Sequence, residues 1–214
     1  VCPFLNERLT YTFYGRPAFR GNTAFEPTDL ACLFPSVLIL DPAEVPAPKY
    51  VFGFDSGAFV DKKMDQFLHP YMPLYDFLIG SDVSSAAALV AYVFQSNENY
   101  FRNSPKNQPP FPASNFEADS YFKVVFGAGQ GPERLDERAT TPELLFDVPI
   151  ALRPCVKAAV LPDTLAYDAD IGGALKSAGV DIYEYSWTNC SRPGESHGTI
   201  NAIVRGIYGD YGWL

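Results

Sequence analysis

An α+β fold is what this sequence predicts, and three observations carry it. Runs rich in β-branched and aromatic residues end on turn formers, as residues 9–14 do before Gly15 and Pro17. Helical stretches fall between such runs irregularly, two strand pairs have short connections, and no regular βαβ repeat emerges. Composition adds the third: at 15% aromatic, with 17 Phe and 13 Tyr, burial relies on rings that suit sheets and pocket walls better than a Leu/Ala helical bundle. A chain of 214 residues, at roughly 150 per domain, is expected to form one domain.

In chain order, residues 9–14 (Leu-Thr-Tyr-Thr-Phe-Tyr) read as a strand running into a turn that carries Arg16 and Arg20. Residues 37–40 close on Asp41-Pro42 and residues 50–54 on Asp55-Ser56-Gly57, two further strands bounded by turn chemistry. Residues 42–48 hold three prolines and read as loop. Ser81 or Asp82 can cap a helix from Val83 to about Tyr100, and Ser114 followed by Glu117 is a capping box for a second helix ending near Gly127. The four prolines of 102–112 mark a linker or lid. Residues 143–148 and 155–161 read as strands, 163–178 as a helix with Gly179 just past its end, 181–185 as a strand and 198–207 as a last helix.

A chain 47% hydrophobic and 19% charged is neither disordered nor fibrous. Its charge of 16 − 25 = −9, without a Lys/Arg run longer than two, argues against a surface that tracks nucleic-acid phosphates. The apolar stretches 86–94 and 158–161 are far shorter than the roughly 20 residues that span a bilayer, so no membrane role is expected. Val1-Cys2-Pro3-Phe4 has neither an initiating Met nor the features of a signal peptide, which suggests a trimmed chain or one numbered from inside a longer protein. Cys2, Cys32, Cys155 and Cys190 lie far apart with no C-x-x-C, so no metal site is expected; reduced thiols in a cytoplasmic protein are.

Several residues could carry chemistry. Gly127-Ala-Gly-Gln-Gly131 has the glycine content of a phosphate cradle but follows a helix, and reads better as a loop beside a site. His69 and His197 could serve a cysteine or serine hydrolase only through tertiary convergence, and Cys155 and Cys190 read as core thiols. Asp55-Ser56-Gly57 puts a carboxylate and a hydroxyl just after a strand, as a functional loop or as an Asx-type turn. Two segments inform more together. In residues 11–20 an aromatic strand delivers the Arg16 guanidinium into a turn where Gly15 allows close approach, an arrangement that can grip a pyrophosphate. In residues 136–146 a polar loop leads to Glu143 at the mouth of an apolar strand, where a carboxylate can accept from a ribose hydroxyl and stabilise positive charge at an anomeric carbon. Arg16 and Glu143 could equally be surface ion-pair formers.

This pair resembles the DarT-type branch of the ADP-ribosyltransferases. Arg16-Pro17 matches that family's Arg-Pro turn after an early aromatic strand, Arg138 through Glu143-Leu144-Leu145 matches its later loop and Glu, and the apolar run 158–161 with Pro162-Asp163 follows. The matches cover about a third of the chain. The resemblance implies an ADP-ribosyltransferase-like split mixed sheet flanked by helices, with NAD as substrate held in a cleft between two small sheets. Arg16 would hold the phosphates with Arg20 nearby, Tyr14 or Phe13 would lie near nicotinamide, and Glu143 would assist cleavage of the glycosidic bond. The acceptor would meet the loop of residues 135–142, with Arg138, Thr140, Asp55, Ser56 and His69 as substrate-binding candidates. The family further implies transfer to a nucleic-acid or protein acceptor, toxin or phage-defence roles, and an antitoxin or other regulatory partner. It also implies an opening strand with a histidine, and none of the fifteen residues before Arg16 is His. That departure favours the alternative of a catalytically inactive module binding a nucleotide or a partner.

Overall fold

The computed structural model describes residues 2, 5–18, 26–127 and 137–214, and the fold is α+β, with two sheets and eight helices among those residues. The chain gathers into two compact units, Val1–Phe19 with Ala47–Pro149 and Arg20–Pro46 with Ile150–Leu214. Each unit takes pieces from distant parts of the sequence, so no linker composition marks the division.

Unit 1 is built on an antiparallel sheet in the order β1 (Thr10–Phe13), β5 (Glu143–Phe146), β3 (Tyr50–Phe52), β4 (Leu78–Gly80). All four residues of β5 are buried, and β1 flanks it on one side and β3 on the other. Register places Glu143 opposite Phe13 and Phe52, and Leu145 opposite Tyr11 and Tyr50, so these six side chains share a face. Phe52, Phe54, Phe77, Phe94, Phe122 and Leu145 belong to one apolar cluster on the sheet and its helices, which makes the aromatic content a core as expected from composition.

Four helices belong to this unit: α1 (Ser56–Val60), α2 (Val83–Phe94), α3 (Asn97–Phe101) and α4 (Phe116–Gly127). Asp82 caps α2, its carboxylate accepting from Ser85 N. The helix expected to reach Tyr100 stops at Phe94, because Gln95 turns left-handed (φ 64°) and Ser96 caps α3 by accepting from Asn99 N. Ser114 does not open α4 as a capping box would have it; it lies in a 3-10 turn over Ala113–Asn115 and its hydroxyl donates to Asn115 Oδ1. Residues 104–112 form the expected irregular connection.

Unit 2 holds the mixed sheet β2 (Val37–Leu40), β6 (Val156–Pro162), β7 (Asp181–Tyr185), antiparallel between β2 and β6 and parallel between β6 and β7. The short turn α5 (Leu152–Cys155) leads into β6. The helix expected over 163–178 is two, α6 (Asp163–Ala166) and α7 (Gly172–Ser177). Asp168 causes the break by accepting from Asp170 N and Ile171 N, an Asx turn that competes with helical bonding. Gly179 follows with φ +78°, the left-handed terminator expected there. The final helix α8 (His197–Asp210) buries Ile200, Val204 and Ile207.

Among the described residues no helix is long and apolar enough to cross a membrane.

Candidate functional site

Three strand ends and two turns in unit 1 meet around Glu143. Its position at the start of the central strand leaves the residue 2% exposed, far from the accessible strand mouth expected of a carboxylate there. Glu143 Oε2 accepts from the Ser56 amide at 3.0 Å, the first residue of α1. That amide is in place because Asp55 caps α1, its Oδ1 accepting from Gly57 N at 2.7 Å. Asp55 is buried as well, and its Oδ2 lies 3.4 Å from Arg138 Nη1, while its amide donates to the Arg138 carbonyl at 3.1 Å. Asp55-Ser56-Gly57 is thus an Asx cap and a partner of Glu143 at once. Ser56 is fully buried, and its hydroxyl stands beside the Glu143 carboxylate without hydrogen-bond geometry to any described group.

Burial in this setting penalises the anion. The Glu143 carboxyl is pushed up to about 7, by loss of solvent first; Ser56 eases its ionisation and the neighbouring Asp55 charge opposes it. A carboxyl with that value exchanges its proton at neutral pH, which is what general acid–base work requires. Sequence reasoning missed Tyr11, which shares the sheet face of Glu143 through strand alternation. Its phenol is raised by desolvation, then by the Cys2 thiol and the charges of Glu143 and Asp55, although the residue is 41% exposed.

Arg16, expected on phosphates, points inward and is 3% exposed. Nε donates to Thr141 Oγ1 at 2.8 Å, Nη1 to the Tyr100 carbonyl at 2.5 Å and Nη2 to Thr140 Oγ1 at 2.5 Å. The guanidinium carbon lies 4.5 Å from the Tyr100 ring centroid, a cation–π contact. Its nitrogens clasp the turn before β5 to the end of α3, so the residue braces the turn that leads to Glu143 and is buried, unlike a surface ion-pair former. Gly15 serves the clasp: its φ is +65°, and a Cβ there would stand 3.2 Å from the Tyr100 ring. Thr140, expected to bind substrate, is buried in the same clasp.

Phe13 is half-buried and level with Glu143 across β1 and β5, whereas half-buried Tyr14 packs its ring on Tyr100, centroids 6.2 Å apart. Arg138 keeps 16% of its side chain exposed. His69 is exposed in a turn with Nδ1 accepting from Tyr71 N at 3.4 Å, and it borders a groove that Glu143 and Asp55 do not line. Arg20, and residues 128–131 of the glycine-rich segment, lie outside the described residues. Gly127 ends α4, where a Cβ would collide with the Phe67 ring at 2.3 Å, which gives this glycine a packing role. His197 opens α8 in unit 2 and contacts Asn201, and the Cys155 thiol donates to the Glu44 carbonyl. No cluster of three or more metal-ligating side chains forms among the described residues.

No family model matches the chain, and neither a curated protein nor a solved structure is detectably similar to it.

What the site can do follows from its own groups. A carboxyl titrating near neutrality is held by one amide and flanked by a second carboxylate in an ion pair. It can take or give a proton, and when ionised it favours a positive charge placed against it.

Proposed function

We propose that unit 1 carries an ADP-ribosyltransferase-like site in which Glu143 is the working carboxylate, within a divergent form of that family's split-sheet fold. The observation that carries this reading is the buried Glu143 carboxyl, pushed up to about 7 and held by the Ser56 amide. The nicotinamide ring of NAD is cationic, so placing it beside Glu143 draws the carboxyl into its ionised form. As the bond between nicotinamide and ribose breaks, its electron pair leaves with neutral nicotinamide and positive charge moves to the anomeric carbon. A carboxylate in a dry setting stabilises that charge strongly. An acceptor nucleophile then bonds to the anomeric carbon and releases a proton, which Glu143 takes as base. Phe13, level with Glu143, would flank the ring, and Arg138 in place of Arg16 would meet the phosphates. The acceptor is a nucleic-acid base or a protein group, and a cytoplasmic toxin or phage-defence effector with a regulatory partner is the setting this chemistry suits.

The inward-facing Arg16 and the 2% exposure of Glu143 favour a second reading, a module that binds a nucleotide or partner without turnover. One experiment separates the two. The purified chain and its Glu143→Gln variant are given NAD, with nicotinamide release and NAD binding measured in parallel. Transfer predicts release that falls at least about 100-fold in the variant, the loss typical of a transition-state electrostatic contact. NAD binding without release assigns the second reading. Release unchanged in the variant removes Glu143, and absence of both binding and release removes NAD.

A further inference from the structure

A groove of about 500 Å³ lies elsewhere in unit 1, between the 3-10 turn Leu74–Phe77, α2 and α4. Its walls include Phe77, Leu89, Tyr92, Phe111, Tyr121 and Phe122, and none of its lining residues belongs to the Glu143 cluster. The volume lies in the range of about 300 to 1,000 Å³ typical of small-molecule sites. Phe111 and Phe122 stand 5.0 Å apart and Tyr92 meets Phe122 edge-on at 6.2 Å, so aromatic faces and edges from three elements converge. The charge of the lining has one sign. Asp76 and Glu117 line the groove, no Lys or Arg does, and neither carboxylate has an ion-pair partner among the described residues. Lys123 lines the adjoining groove and is bound to Asp119 at 2.6 Å.

We propose that this groove binds a small organic cation with an aromatic or apolar body, the ring seated on Phe111, Phe122 and Tyr92 and the ammonium directed to Asp76 and Glu117. Apolar walls reward burial of the body at about 25 cal/mol per Å². Aromatic faces attract a cation, and two unneutralised carboxylates repel an anion of the same shape. Glu117 also sits in the first turn of α4, where a carboxylate complements the helix dipole. Asp76 lies in a four-residue 3-10 turn, whose dipole is far smaller than that of α4, so it is the cleaner residue to change.

The test uses the full chain and three probes that share one body and differ in charge: 4-phenylbutylamine, 4-phenylbutanol and 4-phenylbutanoate. Calorimetric titration at low salt is expected to rank amine over alcohol over carboxylate, each carboxylate giving the amine an advantage of about two- to fivefold. Asp76→Asn and Glu117→Gln should each shrink the amine's lead while leaving the alcohol unchanged, and Phe111→Ala should weaken all three alike. Equal affinity for the three probes, binding of none up to about 10 mM, or a lead that survives both substitutions would overturn the proposal. Circular dichroism of each variant keeps a folding defect from passing for a loss of binding.

Discussion

Replacing Glu143 by Gln should change the pH dependence of stability more than stability itself. Burial holds the folded carboxyl near 7, against an ordinary value of 4.5. The native state therefore binds the proton more tightly than the unfolded chain does. Stability from this group is fully present below pH 4.5, declines as pH rises through the interval to about 7, and is flat above it. At about 1.4 kcal/mol per pH unit across that interval, the loss is about 3 kcal/mol. A glutamine keeps the carbonyl that accepts from Ser56 N and carries no charge at any pH, so it escapes the loss. Urea unfolding of both proteins followed by circular dichroism at pH 4.5, 6 and 8 isolates the term, since titrating groups not coupled to Glu143 cancel in the difference between variant and parent. That difference should move in favour of the variant by about 3 kcal/mol between pH 4.5 and 8. A difference constant to within about 0.5 kcal/mol would show that Glu143 does not titrate near neutrality, and the acid–base argument would lose its basis.

Arg16→Met should destabilise unit 1 by at least about 3 kcal/mol, because the Thr140, Thr141 and Tyr100 oxygens lose a charged donor inside the protein; a denaturation midpoint corresponding to less than about 1 kcal/mol would mean the clasp is ornamental. Asp55→Asn should lower the Glu143 titration midpoint, since the Asp55 charge opposes ionisation of its neighbour, and carbon-13 titration of the Glu143 carboxyl reads it directly; an upward movement would contradict the assigned sign. Gly172→Ala should destabilise unit 2, because the added Cβ would lie 2.0 Å from the Ala166 carbonyl oxygen; a thermal midpoint equal to the parent's would show that the junction of α6 and α7 yields freely.

Local chemistry was legible wherever it acts over a few residues. Val37–Leu40 and Asp181–Tyr185 are strands with the bounds that β-branched and aromatic runs indicated, and the Asp82 cap and the Gly179 terminator do what their positions suggest. The two expected helices that break share a cause, a polar side chain that competes with helical hydrogen bonding. Asp168 splits one expected helix through its Asx turn, and Ser96 restarts the other after Gln95. Neither residue is a strong breaker by type, and only its captured amides reveal the role. β4 escaped notice because three residues, Leu78–Gly80, carry no periodicity. The division into two units was invisible for a different reason: each unit is assembled from discontinuous pieces, and separations of a hundred residues leave no mark in local pattern.

Proximity of the site residues was legible in the sequence, and their orientation was not. Arg16, Asp55, Ser56, Arg138 and Glu143 were singled out from two turns and a strand, and all lie in unit 1, tied together by contacts through the turn before β5. Whether a side chain faces ligand or core is a separate matter, decided by what stands opposite. Arg16 is buried because Thr140 and Thr141, just ahead of Glu143, present hydroxyls while Tyr100 presents a carbonyl and a ring from 84 residues away. A guanidinium with fewer acceptors in reach would have stayed in water, where it could have met phosphates. The same logic leaves Glu143 with the fewer partners. It has a single amide from Ser56 and a like-charged neighbour where Arg16 has a full set of partners. Satisfied charge stabilises a fold, and the charge left short of partners is the one free to respond to a substrate.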